Sequence, residues 1–360
     1  MGSHFEIQTI EAHAEGEAGR IILDAERLVE GETMSERFAY CVEHLDPLRR
    51  AILREPRGYP GLCAVFILPP VNPGSDIGVI VLEQGGFTPM SGSNTICAVT
   101  SVLEAGIVPI TGPRTEVRID TAVGQVSAIA HVDGDKVRAV TVNNVPSFVQ
   151  QLDFPLHLEE FGQVPADIVF GGQFFAQVDV HDLGLKLEPG YARQLARAGA
   201  IVKLATDEQV VTSHPLYPEF NRVNLIMIHS GDPVPGQPAR NTVVLTNAVV
   251  RKDDPSTWTA ALDRSPCGTG TSGRMAALYA RGLLGIDEPF RHRSIVDTEF
   301  TGLLVGQTDV GGVPAVLPTI TGRGWRTGRA TWTLDPTDPF PAGYTVGDIW
   351  GPQQGFAYQN

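Results

Sequence analysis

Apolar and polar positions alternate along much of this chain in short runs cut by glycine and proline. "GRIILDA" (19–25), "GLCAVFILPP" (61–70) and "IGVIVLEQ" (77–84) predict short strands between Gly/Pro turns. "TEVRIDTAVGQVSAIAHVDGDKVRAVTVNNV" (115–145) alternates around a Gly-Asp turn and predicts a β-meander. Helical patterning appears in four places: 34–55, the run after Ser91, 190–209, and the run after Cys267. Two of these, "TICAVTSVLEAG" and "GRMAALYARGLL", are apolar nearly all round, the second interrupted only by two arginines. A helix without a polar face is expected inside a core, here one wrapped by strands.

Those two helices follow two versions of one phrase, "PMSGSNTICAV" (89–99) and "SPCGTGTSGRM" (265–275). Cys267 comes 176 positions after Ser91, close to half of the 360 residues. Gly106 stands 15 residues after Ser91, and Gly282 stands 15 residues after Cys267. Glycine just past a helix end commonly takes the left-handed cap conformation. Both copies therefore share a start, a length and a stop, which implies two structurally related halves with one central helix each.

The first N–H groups of a helix have no intrahelical partner, and the aligned peptide dipoles add partial positive charge there. Such a start can seat a small carboxylate. Ser93, Thr95, Thr269 and Thr271 are equally good as plain helix caps. Duplication favours binding, because two helix starts could converge on one cleft between two lobes. A thiol at a helix N-terminus is favoured as thiolate, so Cys267 reads as a base or nucleophile. The Ser91 hydroxyl is a weaker acid and needs a neighbouring base or the charge of the substrate. Asp263, in "LDRSPCGTGT", is either a turn residue or a carboxylate facing a substrate ammonium.

Composition narrows the remaining classes. The length predicts two domains or lobes. A net charge of −14 speaks against nucleic acid or an anionic membrane surface as the main partner. No apolar run of roughly 18 residues predicts a transmembrane helix, and the N-terminus lacks a secretory pattern. Cys41, Cys63, Cys97 and Cys267 form no CxxC pair. That speaks against a disulfide framework or zinc site and predicts a reduced, cytoplasmic protein in which the first three are buried thiols. The nine histidines show no HExxH, and "GTGTSG" lacks the lysine of a phosphate loop, so no metal or nucleotide is expected. A non-catalytic binder of a small amino acid is the competing class.

"MSGSNTI", "DRSPCGTGT", "EAHAEGE" (11–17), "REPRGY" (54–59), "VFGGQFFA" (169–176), "TITGRGW" (319–325) and "DPFPAGYTVGDIW" (338–350) together resemble the proline racemase family from end to end. That family includes proline racemases, 4-hydroxyproline 2-epimerases and trans-3-hydroxy-L-proline dehydratases. The resemblance implies an α+β, diaminopimelate-epimerase-like fold, with two similar lobes, each a mixed sheet curled around a central helix. The lobes are expected at 1–143 plus 326–360 and at 144–325, with the active site in the cleft between them. It also implies chemistry without a cofactor or metal, Ser91 and Cys267 as the acid/base pair, and substrate contacts from Gly92, Ser93, Asp263, Gly268 and Thr269. A homodimer is the family-level expectation for assembly, with proline or a hydroxyproline as the small-molecule substrate.

Two features separate this chain from plain proline racemases. The family commonly carries cysteine at the first catalytic position and histidine after the following glycine, where this chain has Ser91 and Ser93. The serine form looks most like members associated with trans-3-hydroxy-L-proline dehydration to 1-pyrroline-2-carboxylate, which is the leading expectation. In that substrate the C2 hydrogen and C3 hydroxyl share one ring face, so one face could supply both base and leaving-group acid. A 4-hydroxyproline 2-epimerase, or an enzyme with both activities, is the alternative, and a proline racemase comes third. Family position assigns proton removal from the L-substrate to Ser91, whereas intrinsic acidity assigns it to Cys267.

Overall fold

The computed structural model describes residues 5–350 apart from 219, 235, 247–249 and 348. Residues 351–360, expected in the first lobe, lie outside the described residues. The chain divides into two compact units, 1–142 with 322–360 and 143–321.

The first unit begins with the antiparallel hairpin β1 (Phe5–Ala14) and β2 (Glu17–Ile22). Helices α1 (Met34–His44) and α2 (Asp46–Leu53) follow, then β3 (Cys63–Leu68), β4 (Ile77–Glu83) and β5 (Gly86–Thr88). Helix α3 (Gly92–Glu104) leads into the expected meander β6 (Arg114–Thr121), β7 (Gly124–Asp133) and β8 (Lys136–Asn143). The single helix expected over 34–55 is two helices. Pro47 has no N–H to continue the hydrogen-bond ladder of α1 but is tolerated in a first turn, so the chain restarts at Asp46.

The second unit contains β9 (Ser147–Leu158), β10 (Gly162–Phe170), β11 (Phe174–Asp179), α4 (Ala192–Gln209), β12 (Leu225–His229), β13 (Ala239–Leu245) and β14 (Ala261–Leu262). Then come α5 (Gly268–Ala280), β15 (Phe290–Arg293), β16 (Glu299–Val310) and β17 (Val313–Gly322). The last strand, β18 (Gly324–Leu334), belongs to the first unit. The return therefore falls at Gly322 instead of Arg326. The reason is that β18 pairs with β1 along its length, from Gly324 opposite Ala14 to Leu334 opposite Phe5.

Pairing repeats from unit to unit. β3 is parallel to β2, β4 antiparallel to β3, β6 parallel to β4, and β7 and β8 continue antiparallel. Correspondingly β12 is parallel to β11, β13 antiparallel to β12, β15 parallel to β13, and β16 and β17 continue antiparallel. Each sheet is thus mixed, with parallel steps at the same two places. In the second unit β17 also pairs with β9, at Ala315–Phe148 and Val316–Ser147, which closes the ring of strands.

Helix α3 is buried from Gly92 to Leu103 and packs on β1, β2, β3 and β18; α5 is buried from Gly268 to Leu278 and packs on β9, β10, β11 and β16. The all-round apolar pattern is explained by strands on several sides. Of the two arginines in "GRMAALYARGLL", Arg274 lies within α5 and is buried, and Arg281 is the C-cap of that helix. Arg274 reaches Asp167 at 3.3 Å, while Arg281 grips the same carboxylate with two nitrogens at 2.7 and 2.8 Å. Both helices also stop alike. Gly106 (φ 73°) and Gly282 (φ 71°) donate to Leu103 and Tyr279, and the next residues, Ile107 and Leu283, donate to Val102 and Leu278. This is the Schellman arrangement twice over.

The remaining resemblance motifs come in touching pairs. "EAHAEGE" faces "TITGRGW" across β1 and β18, where His13 stacks on Trp325 with ring centres 5.0 Å apart. Glu15 there accepts from the Arg323 guanidinium at 2.8 Å. "REPRGY" meets the closing motif: Arg57 pairs with Asp338 at 2.9 Å and the Trp350 indole donates to Glu55 at 2.7 Å. Among the described residues no helix is long and apolar enough to cross a membrane.

Candidate active site

In the first unit, Ser91 occupies the N-cap of α3 in extended backbone (φ −149°, ψ 128°), yet its side chain accepts no capping bond from the helix backbone. The first intrahelical bond runs from the Thr95 N–H to the Ser91 carbonyl at 2.9 Å, and the Thr95 hydroxyl reinforces it at 2.7 Å. The N–H groups of Gly92, Ser93 and Asn94 therefore precede the ladder, as the first amides of a helix do. Ser91 is half-buried, whereas Gly92, Ser93 and Asn94 are buried. The Ser91 hydroxyl is contacted instead by the Asn94 carboxamide, whose Nδ2 donates to Oγ at 3.0 Å.

In the second unit, Cys267 is the N-cap of α5 with φ 60° and ψ 113°, a left-handed conformation unusual for a non-glycine residue. Strained backbone of this kind persists only where the surroundings over-determine it. Here the Asp263 carboxylate accepts from the Ser265 N–H (2.7 Å) and hydroxyl (2.9 Å), and Ser265 Oγ accepts from the Cys267 N–H at 3.1 Å. The Gly270 N–H donates to Cys267 Sγ at 3.4 Å, and the Thr269 hydroxyl lies 3.7 Å from the same sulfur. A thiolate at this position would be met by a backbone donor and a helix N-terminus. Cys267 is 8% exposed, and Gly268 and Thr269 are buried.

The turn between β10 and β11 presses on this start. A Cβ at Gly171 would lie 2.1 Å from the Thr269 carbonyl oxygen and 2.7 Å from the Gly273 nitrogen. Asn144 ties the two together by donating to the Gly171 carbonyl (2.9 Å) and contacting Ser272 Oγ (2.8 Å). "VFGGQFFA" thus has its glycine where backbone meets backbone.

The other cysteines behave as core. Cys41, Cys63 and Cys97 are buried and outside any disulfide. Burial pushes the Cys41 thiol up to about 12, and burial, aided by Glu17, pushes Cys97 higher still. Among the described residues no group of three or more His, Cys, Asp or Glu side chains is placed to hold a metal ion.

Of the residues expected from the sequence, Ser91, Gly92 and Ser93 form one helix start, and Asp263, Cys267, Gly268 and Thr269 form the other with its approach loop. Sequence reasoning passed over Asn94, Ser265 and Gly270. The available signal was their spacing from the N-caps: Asn94 and Gly270 each stand three residues beyond, where a donor can reach back to the cap.

The residue profile of the proline racemase family ("Proline racemase") matches residues 9–345. The chain belongs to that family. It is 37% identical over 337 residues to a 4-hydroxyproline 2-epimerase of Streptosporangium roseum, covering 94% of this chain and 97% of the relative. It is likewise 37% identical over 353 residues to a 4-hydroxyproline 2-epimerase of Rhizobium etli, covering 97% and 98%. Among solved structures, a hydroxyproline epimerase from Agrobacterium vitis with bound trans-4-hydroxy-L-proline superposes with a TM-score of 0.88 at 35% identity, over 96% of both chains. A phenazine biosynthesis protein of the PhzF family from Bacillus anthracis shares the fold at a TM-score of 0.56 and 11% identity, over 91% and 99%.

Proposed function

We propose that this protein is a hydroxyproline 2-epimerase, using acid/base chemistry at the substrate α-carbon, with Ser91 and Cys267 as the two proton-exchanging groups. The observation that carries the reading is the repeat itself. Two equivalent helix N-caps hold Ser91 and Cys267, each beside amides that can receive a carboxylate. This stands with a relative of 35% identity that carries trans-4-hydroxy-L-proline. Inversion needs a base on one face of the α-carbon and an acid on the other, with roles exchanged in the reverse direction. The N–H groups of Gly92, Ser93, Gly268 and Thr269 would stabilise the charge that builds on the substrate carboxylate as the α-proton leaves. Asp263 would meet the ring ammonium. The repeated topology of the two units supports the diaminopimelate-epimerase-like architecture expected from the resemblance.

A second reading, trans-3-hydroxy-L-proline dehydratase, is favoured by Ser91. A hydroxyl at the first cap is a weaker proton-exchanging group than a thiol, and dehydration of that substrate asks chemistry of one ring face only. The sequence made this the leading expectation; the named relatives favour the epimerase. Purified protein incubated with trans-4-hydroxy-L-proline and, separately, trans-3-hydroxy-L-proline, without added cofactor, discriminates the two. Inversion of the 4-hydroxy substrate on chiral chromatography is the expected result. Imine from the 3-hydroxy substrate with no inversion of the other would replace the epimerase by the dehydratase.

A further inference from the structure

The two helix starts each place a hydrogen-bond donor on the cap heteroatom from the third residue beyond it, but by different means. In the second unit the donor is the Gly270 backbone N–H, on Cys267 Sγ at 3.4 Å. In the first unit the equivalent position is Asn94, and its side-chain amide donates to Ser91 Oγ at 3.0 Å. Room exists for one kind of donor in each place. A Cβ at Gly270 would lie 2.5 Å from the Met227 methyl and 3.2 Å from the Phe175 ring. In the first unit the strand beside the helix gives way instead: a Cβ at Gly19 of β2 would lie 3.1 Å from both Asn94 Oδ1 and Cys97 Sγ.

The difference follows the chemistry of the two caps. A thiol gives up its proton readily and a weak sulfur-directed bond suffices. A serine hydroxyl is many orders of magnitude less acidic, so negative charge on it needs a stronger donor in a buried site. We propose that Asn94 is the positioning residue that makes Ser91 competent as an acid/base group. It is 3% exposed and gives one of its two amide hydrogens to Oγ. One lone pair of Oγ is thereby occupied, the hydroxyl proton is turned toward the substrate, and charge that forms on Oγ when that proton is given up is stabilised. The inference rests on the reading of Ser91 as a proton-exchanging group.

The test is a double-mutant cycle of Asn94→Gly, which copies the second unit, with Ser91→Cys, which supplies the more acidic cap. Inversion, imine formation and α-hydrogen exchange in D2O are followed on both hydroxyprolines. In the wild-type background Asn94→Gly is expected to lower kcat about a hundredfold, the scale of one lost charge-stabilising donor, with KM changed less than threefold. In the Ser91→Cys background the same change should cost less than fivefold. A loss of equal size in both backgrounds, or no loss in either, overturns the proposal. Asn94→Asp adds a check that holds even if Ser91→Cys is inactive. Its carboxyl is a donor only while protonated, so its activity relative to wild type should rise as pH falls. Wild-type activity of that variant at neutral pH would also overturn the proposal. A wild-type protein silent on both substrates sinks the functional reading and this inference with it, whereas an active one indifferent to Asn94 sinks the inference alone.

Discussion

The contact between Gly171 and α5 ties a single methyl group to the geometry of the thiol-bearing helix start. Gly171→Ala puts a Cβ 2.1 Å from the Thr269 carbonyl oxygen, where ordinary contact begins at 3.4 Å. The obstacle is backbone on both sides, since the Gly273 nitrogen stands at 2.7 Å, so no rotamer change relieves it. Turn and helix must separate by more than 1 Å. Overpacking of this kind costs about 1–3 kcal/mol. For a unit of this size that lowers the melting temperature by roughly 2–12 °C. The functional effect should be larger, because Gly268 and Thr269 move with the helix start while the Asp263–Ser265–Cys267 hydrogen bonds hold the loop before it. A displacement of about 1 Å in a reacting constellation is worth on the order of a hundredfold in rate. Calorimetry and hydroxyproline turnover on the same preparation separate the two effects. A variant within threefold of wild-type kcat, at any melting temperature, would refute the claim that this turn sets the helix start.

Further outcomes follow from the buried charges and thiols. Asp167→Ala takes from Arg274, 3% exposed, its buried carboxylate and leaves it the Gly231 carbonyl and the exposed Asp232 as contacts, and should destabilise by about 3 kcal/mol; urea unfolding measures it. His292 and His229 are buried beside Arg274, and burial first, then that charge, depresses both, His292 to about 3. The unfolded chain protonates them near 6.5 and the folded one resists. Stability is therefore undiminished by them above pH 6.5 and falls as pH drops below it, for His292 down to about 3, by up to about 1.4 kcal/mol per pH unit for each. The urea midpoint should drop between pH 6.5 and 5, and His292→Asn should flatten that drop; an unchanged slope in the variant counts against the assignment. Cys41, held near 12, is about one part in ten thousand thiolate at pH 8, so iodoacetamide should leave Cys41 and Cys97 unlabelled until the protein unfolds, as peptide mass spectrometry would show.

Much of this molecule is readable from local pattern. The strands at 63–68 and 77–83, the meander 114–143, and the two helices that start after Ser91 and Cys267 depend on periodicity, and their ends on glycine at Gly106 and Gly282. These are short-range effects of backbone sterics and amphipathicity, which a sequence carries in full. The candidate pair Ser91 and Cys267 was legible for the same reason, since helix N-caps are local features and the repeat marks both. The break at Asp46 is local too, marked by Pro47 within the apolar patterning of 34–55. Two other things needed the tertiary structure. The return at Gly322 was set by pairing between β18 and β1, partners more than three hundred residues apart. The use of Asn94 as a donor to Ser91 depends on the space left by Gly19 on β2, and that of Gly171 on the approach of α5. Sequence determines which residues can cap, turn or exchange protons; close packing between distant segments decides which of them have room to do so.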